Sequence, residues 1–205
     1  MAEEMLVPPQ HWADLKALTL NKLCDRSLAV ESPPNALILS LLGREILVDR
    51  DEACLKSRKA GSWVKVEDPL MELLLLVYLL KAEPDSLQNE LISVQELKTA
   101  HFFQGPHELK LGPLLTRYGQ DPKGFKEAAE TLGGEALDLA DVSYSIPALP
   151  KVPLYYLLWE GDEEFEPRVS VLFDRSVENH LSGDAIWGLV NLVSEALVKA
   201  PADPF

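Results

Sequence analysis

Two apolar segments separated by an acidic turn constrain the fold of this chain more than any other feature. Residues 154–159, LYYLLW, are almost wholly apolar, and residues 168–173, RVSVLF, follow after a turn that is rich in carboxylates. Apolar runs of this length, bounded by turn residues, are typical of paired strands. We therefore predict an antiparallel hairpin at the centre of a sheet, followed by an Asp-led turn and a helix that reaches Leu181.

Helical signals precede and follow this hairpin. Asp68 and Pro69 suit the start of a helix, because the carboxylate caps free N–H groups and proline tolerates the first helical position. The apolar run 70–81 that follows predicts a buried helix. Residues 125–132 carry apolar side chains at helical spacing and end at two glycines, and residues 186–197 carry a second such stripe.

These elements predict an α+β protein. Residues 36–42 and 45–48 read as a second hairpin around Gly43, and residues 62–66 as a further strand. We predict a mixed, mainly antiparallel sheet covered by helices in a single domain spanning residues 1–205. Residues 1–10 and 201–205 are expected to be loosely ordered tails.

The charge of the chain limits its partners. Asp and Glu number 33 against 19 Lys and Arg, which gives a formal net charge of −14. Such a surface repels phosphates, so neither nucleic acid nor an anionic membrane is expected as a partner, whereas a protein partner is possible. The densest basic cluster, at Lys56, Arg58 and Lys59, falls in a segment predicted to be irregular, residues 49–60. It could hold an anion, although a solvated loop is the alternative.

The two cysteines predict no cofactor. Cys24 and Cys54 lie thirty positions apart, form no C-x-x-C motif, and have no His or Cys neighbour at metal-ligand spacing. An iron–sulfur cluster or structural zinc held by this chain alone is therefore not expected. Reduced thiols and the absence of a long apolar run are consistent with a soluble, cytoplasmic protein.

The acidic turn is the first place where chemistry could lie. It has five carboxylates within seven residues, on Glu160, Asp162, Glu163, Glu164 and Glu166. Hard cations bind clustered oxygens, so Asp162, Glu163 and Glu164 are candidate metal ligands. The spacing does not match a calcium-binding loop, and carboxylates pointing separately into water are the alternative. Phe165 is expected to fold back onto the sheet, whereas an exposed Phe165 would suggest contact with a partner.

The second place is the stretch DRSVENH, residues 174–180. Asp174 ends a predicted strand and can cap the helix that follows, and Ser176 and His180 are four residues apart on one helix face. A serine nucleophile also needs a base oriented by a third group, often on a Gly-flanked turn, and no G-x-S-x-G is present. Sites nevertheless collect just past the ends of central strands, so we place any pocket here.

The third place is an aromatic loop. Phe102 and Phe103 lie between His101 and His107, and apolar rings beside titratable groups are common in pockets. Phe102 and Phe103 are therefore candidate residues for binding a ligand or partner. The alternative is that the rings plug the core while the histidines face water.

Two segments of the hairpin region carry a family resemblance. Residues 152–167, VPLYYLLWEGDEEFEP, and 169–181, VSVLFDRSVENHL, resemble the C-terminal signature of a bacterial and archaeal family known only as a domain of unknown function. Residues 70–81 and 92–103 are similar to its middle region, so the resemblance covers about residues 36–192. It implies proteins typical of anaerobes, some of them joined to or encoded beside iron–sulfur or corrinoid-linked proteins. It implies no catalytic residue, and this chain lacks the cysteine-rich extension of such fusions.

Three functional hypotheses follow. The first is a non-catalytic accessory or ligand-binding domain that acts beside redox or one-carbon proteins, because no coherent catalytic set is evident. The second is a metal-dependent, hydrolase-like enzyme that uses residues 160–180. The third is a structural homo-oligomer, which predicts a large apolar face on the last helix around Trp187.

Overall fold

The computed structural model describes residues 7–161 and 164–200 of the chain. Within these ranges the predicted α+β class is confirmed, with seven α-helices and two five-stranded sheets. The helices are α1 (Pro9–Ala17), α2 (Leu20–Ser27), α3 (Pro69–Lys81), α4 (Gly112–Tyr118), α5 (Pro122–Thr131), α6 (Val177–His180) and α7 (Gly183–Lys199). The predicted tails fall mostly outside the described residues, and α1 already begins at Pro9.

The first sheet is a meander in which each strand pairs antiparallel with the next along the chain. Its strands are β1 (Val30–Ser32), β2 (Ala36–Leu41), β3 (Arg44–Asp49), β4 (Cys54–Lys59) and β5 (Ser62–Val66). The hairpin predicted around Gly43 is confirmed as β2 and β3. The prediction of an irregular segment at 49–60 is wrong, because β4 lies between two partner strands whose backbone hydrogen bonds outweigh its polar composition.

The second sheet has the strand order β6-β10-β9-β8-β7, and each of its pairings is antiparallel. Its strands are β6 (Leu91–Ile92), β7 (Glu135–Leu137), β8 (Val142–Leu149), β9 (Val152–Trp159) and β10 (Arg168–Asp174). The hairpin predicted from residues 154–159 and 168–173 is confirmed as β9 and β10, with β9 at the sheet centre. The mainly antiparallel pairing that the sequence predicts is thus present, and the strands are divided between two sheets.

The core is a contiguous hydrophobic cluster to which both sheets contribute, for example through Leu37 and Leu154. Helix α3 lies within it and contacts α1, α2 and α7. Six of its thirteen residues are buried, as its apolar composition predicts. The sheets also meet directly, because the N–H of Leu42 donates to the carbonyl oxygen of Ala148 at 3.1 Å.

Local signals explain the starts of α3 and α5 and the end of α5. The carboxylate of Asp68 accepts from the N–H of Met71 at 3.0 Å, and that of Asp121 accepts from Gly124 at 2.9 Å, as N-caps do. Gly133 ends α5 with a φ of 74°. No helix in the described ranges is both long and apolar enough to cross a membrane.

The segment between β6 and α4 differs from its prediction. The capping-box spacing of Ser93 and Glu96 predicts a short helix that ends near Ala100. The chain instead makes three 3₁₀ turns, at Val94–Glu96, Ala100–Phe102 and Gly105–His107. The predicted capping pair is present, since Glu96 Oε2 accepts from both the N–H and the hydroxyl of Ser93 at 2.8 Å. A compact, irregular connection of this kind is a common place for binding residues.

Candidate functional site

The carboxylate of Asp174, at the end of β10, is enclosed by hydrogen-bond donors. Oδ1 accepts from the N–H of Gln88 at 3.0 Å and from the N–H and hydroxyl of Ser176 at 2.9 and 2.6 Å. Oδ2 accepts from the N–H of Asn89 at 2.7 Å. Asp174 is only 2% exposed. Burial alone would raise its pKa, but the four hydrogen bonds lower it below its ordinary value.

These bonds give Asp174 a role other than the one predicted. Helix α6 begins at Val177 with Ser176 at its N-cap position, so Asp174 closes the turn before the helix rather than capping it. Its remaining bonds fasten the segment at residues 88–89, directly before β6. Ser176 is fully buried, and its hydroxyl donates to the carboxylate of Asp174.

His180 lies in the same corner and is also fully buried. Its Nδ1 accepts a hydrogen bond from the N–H of Glu83 at 3.4 Å, so the proton of the neutral ring resides on Nε2. Within the described residues Nε2 has no hydrogen-bond partner. Burial, reinforced by the charge of Lys151, lowers the pKa of His180, which keeps the imidazole neutral in the folded protein.

Two lysines complete the polar interior of this corner. Lys81 Nζ donates to the carbonyl oxygens of Glu178 at 2.6 Å and Leu181 at 2.8 Å, at the end of α6. Lys151 Nζ donates to the carbonyl oxygen of Glu83 at 2.8 Å. Burial lowers the pKa of both amines. Each ammonium therefore donates to carbonyl oxygens near the end of a helix, where carbonyl oxygens lack partners within the helix.

Glu178 is the residue of the corner that sequence reasoning missed. Its Oε1 accepts from the N–H and hydroxyl of Thr99 at 3.0 and 2.8 Å, and its Oε2 accepts from the N–H of Lys98 at 2.8 Å. A carboxylate on a four-residue helix carries no sequence signal for a partner 80 positions earlier. We call residues 174–181, the connection 82–90 and the side chains of Lys81 and Lys151 the corner; it holds the chain on both sides of β6.

The aromatic loop begins just after Lys98 and Thr99, the two residues that Glu178 binds. Phe102 packs edge-on against Phe103 with ring centroids 5.4 Å apart, and stacks on His107 at 4.3 Å. His107 in turn meets the edge of Trp187 on α7 at 5.8 Å. The Trp187 indole N–H donates to the carbonyl oxygen of Glu108 at 3.2 Å. We call residues 101–107 the aromatic segment; with Trp187 it forms a continuous row of four rings.

Three cavities border the aromatic segment. One of about 440 Å³ is lined by His101 and Phe103, and another of about 380 Å³ lies between Phe103 and strand β10. The third, of about 190 Å³, lies between α3 and α7 and is lined by Phe102, His107 and Trp187. Phe103 is 8% exposed and belongs to the core, while Phe102 is half-buried. The aromatic segment thus packs into the core through Phe103 and also borders all three cavities.

The acidic turn is only partly described. Asp162 and Glu163, two of the three candidate metal ligands, lie outside the described residues, and Glu164 is exposed. In the part of the chain that the structure does describe, no three His, Cys, Asp or Glu side chains are grouped to hold a metal ion. The prediction that Phe165 folds back onto the sheet is wrong, because 70% of this residue is exposed.

The candidates from the sequence therefore fall into separate regions. The corner brings Asp174, Ser176 and His180 together, and the aromatic segment contains Phe102 and Phe103. A family model described as a domain of unknown function (DUF3786) matches residues 19–196, somewhat more of the chain than the predicted resemblance covers. No curated protein and no solved structure matches the chain.

Proposed function

The chain belongs to the DUF3786 family, a domain of unknown function, and we propose from its own geometry that it is a non-catalytic accessory domain that binds a protein partner. The observation that carries this proposal is the position of the aromatic segment, which borders three cavities beside one another. The row of rings from Phe103 to Trp187 is the centre of the proposed binding surface.

The arrangement of the hollows favours a protein partner over a single small ligand. Three hollows of about 190 to 440 Å³ along one segment can each accept a side chain of a partner. Aromatic side chains are enriched at protein interfaces, because they supply contact area with few torsions to immobilise. The rings here are already ordered by contact with one another, which reduces the entropy lost on binding.

The corner supports a non-catalytic function through its hydrogen bonds. For Ser176 to act as a nucleophile, its buried hydroxyl would have to leave Asp174 and reach a base. The imidazole of His180 already accepts a backbone N–H through Nδ1. These groups stabilise loops, so the hydrolase-like alternative would require the corner to open.

The family resemblance suggests the class of the partner. We propose a cytoplasmic iron–sulfur or corrinoid-linked protein, because the resemblance implies that relatives are joined to or encoded beside such proteins. In this arrangement the partner holds the cofactor and the present domain supplies a docking surface. A second copy of this chain is the competing occupant, as the hypothesis of an oligomer built around Trp187 implies.

Affinity capture with matched variants tests the proposal. We expect the tagged wild-type protein to retain a specific partner from native lysate, and Trp187→Ala or Phe102→Ala to lose it. Leu139→Ala is the control, because it also truncates a partly exposed apolar side chain, 45% exposed, on the β7–β8 connection. The melting temperature of each variant is measured first, so that unfolding is not mistaken for lost binding.

Three outcomes would reject this proposal. Equal capture by all variants would remove the aromatic segment from the interface. No specific partner in any capture would remove the accessory function itself. Light scattering that shows a stable dimer, dispersed by Trp187→Ala, would assign the surface to a second copy of the chain.

A further inference from the structure

We infer that the first sheet carries a second binding site, for a small organic anion that has an apolar part. The site is a cavity of about 400 Å³ bounded by strands β3, β4 and β5 and by the first turn of α3. Four of its lining residues are cations, namely Arg44, Arg58, Lys59 and Lys65. The inference does not rest on the partner proposed for the aromatic segment, because none of the residues is shared.

The charge at this cavity is opposite to that of the whole chain. The chain has a formal net charge of −14, whereas the four cations at the cavity are accompanied by two carboxylates, Glu45 and Glu67. The lining therefore has a net charge of +2, four positive charges less two negative. An anion is repelled by most of this protein and attracted here, and concave walls strengthen that local field.

The register of the sheet selects two of the cations for direct contact. Ile46 on β3 lies opposite Ser57 on β4, and side chains alternate between the faces of a strand. Arg44, two residues before Ile46, and Lys59, two residues after Ser57, therefore project from the same face as that pair. By the same alternation, Arg58 and Lys65 project from the opposite face, where they add to the local positive charge.

Two tight turns place Arg44 and Lys59 at the same end of the sheet. The turn at residues 42–43 precedes Arg44 and the turn at 60–61 follows Lys59, and both use glycines with positive φ, 72° at Gly43 and 83° at Gly61. Glycine adopts this backbone conformation at little cost, and two-residue turns of this kind connect strands rigidly. The backbone that carries these two side chains is thus part of the sheet itself and not of a loop.

The floor of the cavity is apolar, which defines the class of ligand further. Ile46 is 3% exposed and Met71 is 2% exposed, and the partly buried Val66 lies beside them. A ligand with a phosphate or carboxylate on an aromatic or aliphatic body would satisfy both the cations and this floor. The volume is typical of sites for small molecules, which favours a soluble molecule over a polymer.

Two of the cations at this cavity, Arg58 and Lys65, form longer ion pairs than the neighbouring Lys56 does. Arg58 Nε lies 3.7 Å from Glu45 and Lys65 Nζ lies 3.9 Å from Glu67, and the side chains of both pairs are more than half exposed. Exposed pairs of this kind contribute little to stability, and Arg58 also lies over the Trp63 ring, 5.0 Å from its centroid, so these two cations add positive charge to the cavity without contacting the ligand directly. Lys56, by contrast, binds Asp49 at 2.8 Å and Glu52 at 2.9 Å on the opposite face.

Titration with 1-naphthyl phosphate tests the site, since this molecule has an anionic group on an apolar ring system. We expect binding by isothermal titration calorimetry at low ionic strength, with amide resonance shifts at residues 44–46 and 57–59. Neutral 1-naphthol and inorganic phosphate should each bind at least about tenfold more weakly, because each engages only half of the site.

Matched variants assign the binding to Lys59 and Arg44. Lys59→Gln and Arg44→Gln should each weaken binding of 1-naphthyl phosphate about tenfold, the loss of one charge-assisted contact. Lys123→Gln changes the net charge equally on α5, where the Lys123 side chain is 86% exposed, and should leave the affinity within about twofold. Circular dichroism confirms that each variant is folded.

Any of four results would overturn the inference. These are no binding of 1-naphthyl phosphate at millimolar concentration, equal affinity for inorganic phosphate, and equal weakening by Lys123→Gln. The fourth is binding to phosphatidylglycerol vesicles without binding of 1-naphthyl phosphate, which would assign the cations to a lipid surface. Resonance shifts confined to the aromatic segment would count as no binding at this cavity.

Discussion

The corner and the aromatic segment are adjacent, and their side chains are engaged in opposite ways. In the corner, Asp174, Lys81 and Lys151 bind backbone groups of the protein itself. In the aromatic segment, Phe102 and Trp187 contact other rings and border a hollow. Chemically reactive residue types therefore mark the region that holds the fold together, and apolar ones mark the region that we propose as the binding surface.

Glu178 joins the two regions. It belongs to the corner by position and fastens residues 98–99, directly before the aromatic segment. The two regions thus differ in whether their side chains form hydrogen bonds to the backbone of the protein itself. A buried polar group whose bonds all end inside the protein stabilises the fold, and it becomes available for chemistry only when those bonds break.

The largest effect is expected from Asp174→Ala. The N–H groups of Gln88, Asn89 and Ser176 and the hydroxyl of Ser176 would lose their acceptor, and each lost hydrogen bond costs about 1 kcal/mol. We expect the free energy of unfolding, measured in urea, to fall by about 3 kcal/mol or more. Asp25→Ala, at an exposed acid on α2, should change it by less than about 0.5 kcal/mol. A folded, equally stable Asp174→Ala protein that no longer binds its partner would make the corner a functional site.

A smaller effect is expected from Glu178→Ala, which separates the two regions. Three hydrogen bonds to Lys98 and Thr99 are lost, at a cost of about 2 kcal/mol in the free energy of unfolding. Amide hydrogen exchange should accelerate over residues 98–107 and remain slow at residues 88–89, which Asp174 still holds. The control is Glu195→Ala, which removes a surface pair with Lys199. Unchanged exchange over 98–107 would show that the segment is held by its own packing.

The next effect depends on pH and concerns His180. Its pKa is lowered in the folded state, so the unfolded chain binds the proton more readily than the folded protein does. Stability is therefore full above about pH 6.5 and falls as the pH drops below that value, by at most about 1.4 kcal/mol per pH unit. His180→Gln should remove this slope in urea titrations between pH 6.5 and 5, whereas His101→Gln, at an exposed position, should retain it. A slope shared by all three proteins would assign the acid sensitivity elsewhere.

The smallest effect is expected from Ser176→Ala, which separates the structural role from a hydrolase-like one. One buried hydrogen bond to Asp174 is lost, at a cost of about 1 kcal/mol in the free energy of unfolding. Ser194→Ala is a matched control, because it also deletes a buried hydroxyl that is hydrogen-bonded, here to Tyr156. Both variants should bind partner normally. Loss of a hydrolytic activity in Ser176→Ala alone would restore the nucleophile hypothesis.

Much of the fold was predictable from local signals. The hairpin of β9 and β10, the capped start of α3 at Asp68 and the end of α5 at Gly133 each depend on neighbouring residues. The division into two sheets was not predictable, because it depends on which strands pair across long separations. Strand β4 was missed for the same reason, since its polar sequence is held by partners on both sides.

The sequence predicted which residues belong to the candidate sites, but it did not predict what each residue does there. The sequence identified Asp174, Ser176 and His180 as neighbours, and the structure brings them together. Their partners Gln88, Asn89 and Glu83 lie 85 to 97 positions away along the chain. Nothing in the local pattern indicates that these distant N–H groups donate hydrogen bonds to the carboxylate of Asp174 and the imidazole of His180.

The sequence by itself determined the α+β class, the central hairpin, the limits of α3, the end of α5, and the family to which the chain belongs. Only the tertiary structure decided that the corner is internally bonded, that the aromatic segment borders cavities, and that Lys59 lies apart from Lys56. The physical reason is that capping, periodicity and turns act over a few residues. Hydrogen-bond satisfaction and cavities arise where segments distant in the chain meet.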